Sequence, residues 1–195
     1  MTSRRFVPAV VLALTVAVSA CSDQAPFTPE REPMQLEVVS PPVIALPLSR
    51  LKPLPNNITR SITINNTGGV INMPEAGFHL NVPKTAISGM GKITITVTAL
   101  AGDMVAYEFS PHGTVFKTPV KFTQDLEVTT WNANEGRTNL EAAYFKSLDD
   151  IDFDNNEVVA YEFLPVVFAS GDRLHFDIRH FSGYLVAMGR GRTVY

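Results

Sequence analysis

From Ile58 onward, apolar and polar residues alternate with a period of two, the signature of strands that bury one face. Phe78, Leu80 and Val82 share one parity, with His79 and Asn81 on the other. Ile93, Ile95 and Val97 alternate with Thr94, Thr96 and Thr98, and Val105, Tyr107 and Phe109 with Ala106, Glu108 and Ser110. The habit continues through Val120 and Phe122, Leu126 and Val128, then Leu140, Ala142 and Tyr144, and ends in Leu174, Phe176 and Ile178. Turn residues punctuate these runs at Thr67-Gly68-Gly69, Ser88-Gly89, Ala101-Gly102-Asp103, Ser110-Pro111-His112-Gly113 and Ser170-Gly171-Asp172. No segment keeps a 3.6-residue period over three turns; Lys84 to Ile87, after Pro83, has room for one helical turn. Short strands with turns every eight to twelve residues or so predict an all-β antiparallel sandwich.

The N-terminus follows another rule. Arg4 and Arg5 precede an apolar run from Phe6 to Val18, about 13 residues, which fits the core of an export signal. A membrane span needs about 20 apolar residues, so the run is too short to stay as one. It ends in Val18-Ser19-Ala20-Cys21, which resembles the lipobox of bacterial lipoproteins, and Cys21 is the only cysteine in the chain. Residues 1–20 are therefore expected to be removed and Cys21 to be lipidated, making the membrane a partner through that lipid. Arg4-Arg5 lacks the spacer of a twin-arginine signal, because Phe6 follows directly; the general secretory route is expected. Ser22, rather than aspartate, after the cysteine resembles the signal for outer-membrane delivery within the cell envelope.

Eight of the 14 prolines fall between Ser22 and Asn56, while all 12 glycines lie at Gly68 or later. That composition predicts an extended linker over 21–56, reaching up to about 100 Å, and a single domain over 57–195. Val43 to Leu54 is apolar enough to dock as a strap and shorten the reach. With one cysteine, no internal disulfide can form, so folding must rest on a core. Without Arg4 and Arg5 the mature chain has 14 basic against 19 acidic residues, a balance that argues against nucleic-acid binding.

Gly68-Gly69-Val70, then Gly77-Phe78-His79-Leu80-Asn81-Val82-Pro83 with Ala86-Ile87, then Phe109-Ser110-Pro111-His112-Gly113-Thr114-Val115-Phe116-Lys117-Thr118-Pro119-Val120 occur in that order. Together they resemble the zonula-occludens and Unc-five (ZU-five) domain of ankyrins, netrin receptors and bacterial surface proteins, over about residues 67 to 190. In this pattern Pro111 sets a turn, Gly113 relieves it, Phe116 fills the core, and Pro119 starts a strand. Thr85 stands where such domains often carry glycine. The resemblance implies a β-sandwich that binds or organises an unnamed protein partner.

Candidate chemistry is sparse. No G-x-S-x-G elbow, P-loop or H-E-x-x-H occurs, and no cofactor is expected. Asp150, Asp152 and Asp154 copy the start of a calcium loop. Asn155 replaces its glycine and Tyr161 its terminal glutamate, so a solvated hairpin tip is expected, with a weak calcium-dependent adhesin site as the alternative. Trp131, Tyr144 and Tyr161 are candidates for a sugar platform. His175 and His180 are five apart, which in a continuous strand puts them on opposite faces. Asn57-Ile58-Thr59 and Asn65-Asn66-Thr67 match the N-glycosylation pattern, which carries nothing in a bacterial lipoprotein. His180-Phe181-Ser182 matches a junction at which some ZU-five relatives cut themselves: Ser182 would attack the Phe181 carbonyl with His180 as base. An intact chain is expected, because few residues would follow the cut. The sequence is thus read as a lipid-anchored, non-enzymatic binding or architectural module.

Overall fold

The structure, a computed structural model, describes residues 41–87, 89, 91–132, 140–169 and 172–194. The signal segment, Cys21 and the linker as far as residue 40 lie outside the described residues. The fold is an all-β antiparallel sandwich. Its smaller sheet has five strands in the order β14 (Val167–Ala169), β15 (Arg173–His180), β9 (Val115–Asp125), β5 (Phe78–Val82) and β4 (Gly69–Met73). The larger runs β11 (Ile151–Asp152), β12 (Glu157–Ala160), β1 (Val43–Pro47), β16 (Gly183–Thr193), β8 (Ala106–Ser110), β6 (Ile93–Ala99) and β3 (Ile58–Ile64). Off that path, β10 (Glu141–Phe145) pairs with β16 and with β13 (Glu162–Leu164). A small ribbon joins β2 (Ser49–Leu54) to β7 (Gly102–Met104).

Alternation explains the inner faces. Phe78, Leu80, Val82, Ile95, Val97, Phe122, Leu174, Phe176 and Ile178 are all buried between the sheets. Aromatic rings dominate there: Phe122 stacks on Phe176 at 4.3 Å, Phe78 meets Tyr107 at 4.8 Å, and Phe116 meets Phe181 edge-on at 4.6 Å. Each such side chain stabilises the fold by about 1.5–3 kcal/mol relative to exposure. Outward on the paired strands β3 and β6, hydroxyls meet across the ladder, Thr59 with Thr98 at 3.0 Å, Ser61 with Thr96 at 2.8 Å and Thr63 with Thr94 at 2.9 Å. These cross-strand pairs fix the register of the edge strand.

The larger sheet departs from simple alternation around β16. Ala106, Ala143 and Leu185 are register partners and wholly buried, although Tyr107 and Tyr184 beside them face the inter-sheet core. Both faces are therefore apolar here; a second cluster gathers Ala45, Ala106, Ala143, Phe145, Ala160, Leu185 and Ala187. Phe145 lies over its register partner Gly183, where a Cβ would sit 2.0 Å from the ring. Only glycine fits.

The linker boundary at 56 requires correction. Residues 43–54 form β1 and β2, β1 is hydrogen-bonded to both β12 and β16, and Ile44, Ala45, Leu48 and Leu54 are buried. Proline content misled because Pro47 ends β1 and Pro53 lies near the end of β2, beyond that strand's bridge from Arg50 to Thr129, positions where a missing N–H is tolerated. Pro119 likewise lies within β9 rather than at its start. It falls where the β9–β15 register shifts, between Val120 opposite Ile178 and Val115 opposite His180. Thr85 occupies a left-handed turn with φ 71°, which suits glycine better than a β-branched residue.

Arg50 is the one buried cation among the core residues. One of its terminal nitrogens donates to the carbonyls of Leu100 and Met104, and the guanidinium lies 5.6 Å from the centre of the Tyr107 ring. It thereby ties β2 to the loop that carries β7.

Candidate functional site

The His180-Phe181-Ser182 junction is built into the closing turn between β15 and β16. Phe181 is buried against Phe109 and Phe116. Its N–H donates to Thr114 O at 2.9 Å, and its carbonyl accepts from Gly113 N–H at 3.0 Å. Ser182 Oγ donates to the carbonyls of Phe145 at 3.2 Å and Lys146 at 3.3 Å. Attack on Phe181 would need that proton taken by a base. It is directed instead to two backbone oxygens on β10 and its exit.

His180 turns elsewhere. The register shift after Ile178 breaks the shared parity with Ser182 that a regular strand would give. Its ring packs edge-on against Tyr144 at 4.9 Å, with Nε2 3.9 Å from Glu162. Tyr184 Oη donates to His180 O at 2.8 Å. Burial, followed by the charge of Glu162 and the neighbouring Tyr144, pushes the Tyr184 hydroxyl far above the usual tyrosine range. His175 meanwhile points outward from the smaller sheet and lines a cleft with none of these groups.

In the acidic run the carboxylates serve separate turns. Asp150 Oδ2 accepts from the N–H groups of Lys146 at 2.9 Å and Ser147 at 3.0 Å, and its Oδ1 from Tyr161 Oη at 3.1 Å. Asp152 accepts from the N–H groups of Asp154 and Asn155 and from the Asn155 side chain at 2.7 Å. These bonds, the Asn155 side chain foremost, hold the Asp152 carboxyl below its ordinary range. Among the described residues, no three His, Cys, Asp or Glu side chains are grouped to hold a metal ion.

The aromatic candidates are divided. Trp131 stacks on Phe168 at 6.0 Å, whereas Tyr144 packs against Tyr161 at 6.2 Å and Tyr184 at 5.7 Å. Both glycosylation-like asparagines shape turns: Asn57 Oδ1 accepts from Ala101 N–H at 2.7 Å, and Asn65 Oδ1 from Thr67 N–H at 2.9 Å.

What sequence reasoning missed is a polar cleft of about 500 Å³ on the outer face of the smaller sheet. Strand order assembles it. Asn72 on β4 is the register partner of His79 on β5, His79 of Thr123 on β9, and Thr123 of His175 on β15. Two residues along, Asp125 faces Arg173 across the same pair of strands, and Pro74, Gly77 and Ala169 close the ends. His79 Nδ1 lies 2.5 Å from Asn72 Oδ1; an amide oxygen only accepts, so Nδ1 is the donor in this pair. Asp125 Oδ1 accepts from Glu127 N–H at 3.0 Å, and Arg173 makes no ion pair among the described residues. The row offers a free guanidinium, two imidazoles, an amide and a hydroxyl to one small volume.

Among the described residues no helix is long and apolar enough to cross a membrane. No family model matches the chain, and no curated protein matches it significantly.

Proposed function

We propose that the protein is a lipid-anchored binding or architectural module of the bacterial cell envelope, held on Cys21 and presenting a ZU-five-like β-sandwich to a partner. The observation that carries the anchor is the lone cysteine after Val18-Ser19-Ala20, at the end of a short apolar run with a basic start. Support for a binding module over a self-cutting one comes from Ser182, whose hydroxyl donates to the Phe145 and Lys146 carbonyls. Because β1 begins at Val43, the tether is 22–42; fully extended at about 3.1 Å per residue it would reach about 65 Å. Delivery to the outer membrane follows from Ser22 on this reading.

The test is intact mass of the protein taken from its own membrane, alongside Cys21→Ala. A mass of residues 21–195 plus acyl chains is expected, with the variant unprocessed or soluble. A variant that fractionates like its parent would sink the anchor. A mass ending at Phe181, lost in Ser182→Ala, would establish self-cleavage instead.

A further inference from the structure

We infer that the cleft on the outer face of the smaller sheet binds a saccharide bearing an acidic group, a carboxylate or a phosphate, with Arg173 taking the acid and the His79–Thr123–His175 row taking the hydroxyls. The inference rests on the binding-module reading and supplies its ligand.

The lining decides the class. Its side chains are Asn72, His79, Thr123, Asp125, Arg173 and His175, with only Pro74 and Ala169 as apolar edges. An apolar ligand would strip water from these groups and return nothing, so the occupant is polar. The volume of about 500 Å³ falls within the range of small-molecule sites and is larger than a bare oxyanion requires.

Charge narrows it further. The chain is acidic overall, with 19 Asp and Glu against 16 Lys and Arg, yet this cleft holds an unpaired guanidinium. Its one carboxylate, Asp125, is turned partly towards Glu127 N–H. A guanidinium presents paired N–H donors that match a carboxylate or phosphate bidentately. The remaining groups act both ways. His79 has its Nδ1 engaged by Asn72, which leaves Nε2 for a ligand hydroxyl, while the Asn72 amide nitrogen and Thr123 hydroxyl donate. Sugar hydroxyls, which donate and accept at close spacing, meet that mixture; an isolated anion uses only half of it. The groups also sit on paired strands rather than loops, so little freedom is lost when they engage.

The test is calorimetric titration of the mature protein in detergent with galacturonic acid, glucose 6-phosphate, glucose and inorganic phosphate, repeated on Arg173→Gln and His79→Ala. Both substitutions are at exposed positions, and unchanged melting confirms that each variant folds. At least one acidic sugar should bind saturably, tenfold or more tighter than glucose and than inorganic phosphate. Arg173→Gln should erase the preference for the acid, and His79→Ala should weaken acidic sugar and glucose alike. Equal binding of glucose, equal binding of inorganic phosphate, indifference to Arg173→Gln, or no heat with any probe would each overturn the assignment. Such a failure leaves the anchored-module reading to its own test at Cys21, whose outcome does not depend on the cleft.

Discussion

Tyr107 on β8 and Gln124 on β9 meet at 2.7 Å in the space between the two sheets, both wholly buried. The tyrosine hydroxyl shares its proton between Gln124 Oε1 and Ala76 O, and Gln124 Nε2 donates to Ala76 O at 3.1 Å and Asp125 O at 2.9 Å. The sheets are thus joined by a satisfied polar triangle within an otherwise aromatic core. Tyr107→Phe should cost about 1–3 kcal/mol, because it leaves a buried amide oxygen unpaired. Adding Gln124→Leu should cost less than the two single effects summed, measured by urea unfolding. Burial, opposed in part by Arg50, also raises the Tyr107 hydroxyl to about 12. The folded state therefore holds this proton more tightly than the unfolded chain. Its contribution is complete below pH 10 and should disappear as pH rises through about 12. A chain whose stability is flat across that window would refute the assignment.

A chain beginning at Asn56 should not fold. It lacks β1 and β2, and with them the buried Ile44, Leu48 and Leu54. Each is worth about 1.5–3 kcal/mol, against a total stability of about 5–15 kcal/mol for a typical domain. A chain beginning at Pro41 should melt as the parent does. Circular dichroism during heating distinguishes them; melting of the shorter chain within a few degrees of the longer would mean that β1 is dispensable.

Asp150, Asp152 and Asp154 should behave differently from one another. Asp150→Asn should cost about 1 kcal/mol, since one carboxylate oxygen there serves two N–H groups and the other Tyr161. Asp154→Asn should stay within about 0.5 kcal/mol, as for ordinary surface changes. Asp152, with its carboxyl held low by Asn155, stabilises its turn above the usual carboxylate range, and the effect is lost as pH falls. Calcium should leave the melting temperature unchanged; a calcium-dependent rise removed by Asp150→Asn would revive the loop as a metal site.

Strand positions and inner faces were legible wherever one face met the core and the other met water, as at Phe78, Leu80 and Val82. Legibility ended where that contrast ended. Ala106 reads as an outward residue between Val105 and Tyr107, but the second apolar cluster covers its face as well. Arg50 reads as a polar interruption in a proline-rich stretch, and nothing local announces that its partners are carbonyls near residue 100. The cleft was hidden for a topological reason. Asn72, His79, Thr123 and His175 become neighbours only through the order β4-β5-β9-β15, which no periodicity encodes.

β16 is the last strand in the sequence and among the most enclosed in the fold. Over Gly183–Leu185 it is flanked by β10 and β8, and from Ala187 onward it pairs with β1. Synthesis runs from the N-terminus, so β1 is finished long before the strand that holds it, and β10 waits with only β13 beside it. Until residues 183–193 emerge, Tyr184 is missing from the aromatic cluster and Leu185 from the second apolar face. Closure of the sandwich therefore waits for residues 183–193, and is slowed because they must pair with strands far away in the sequence.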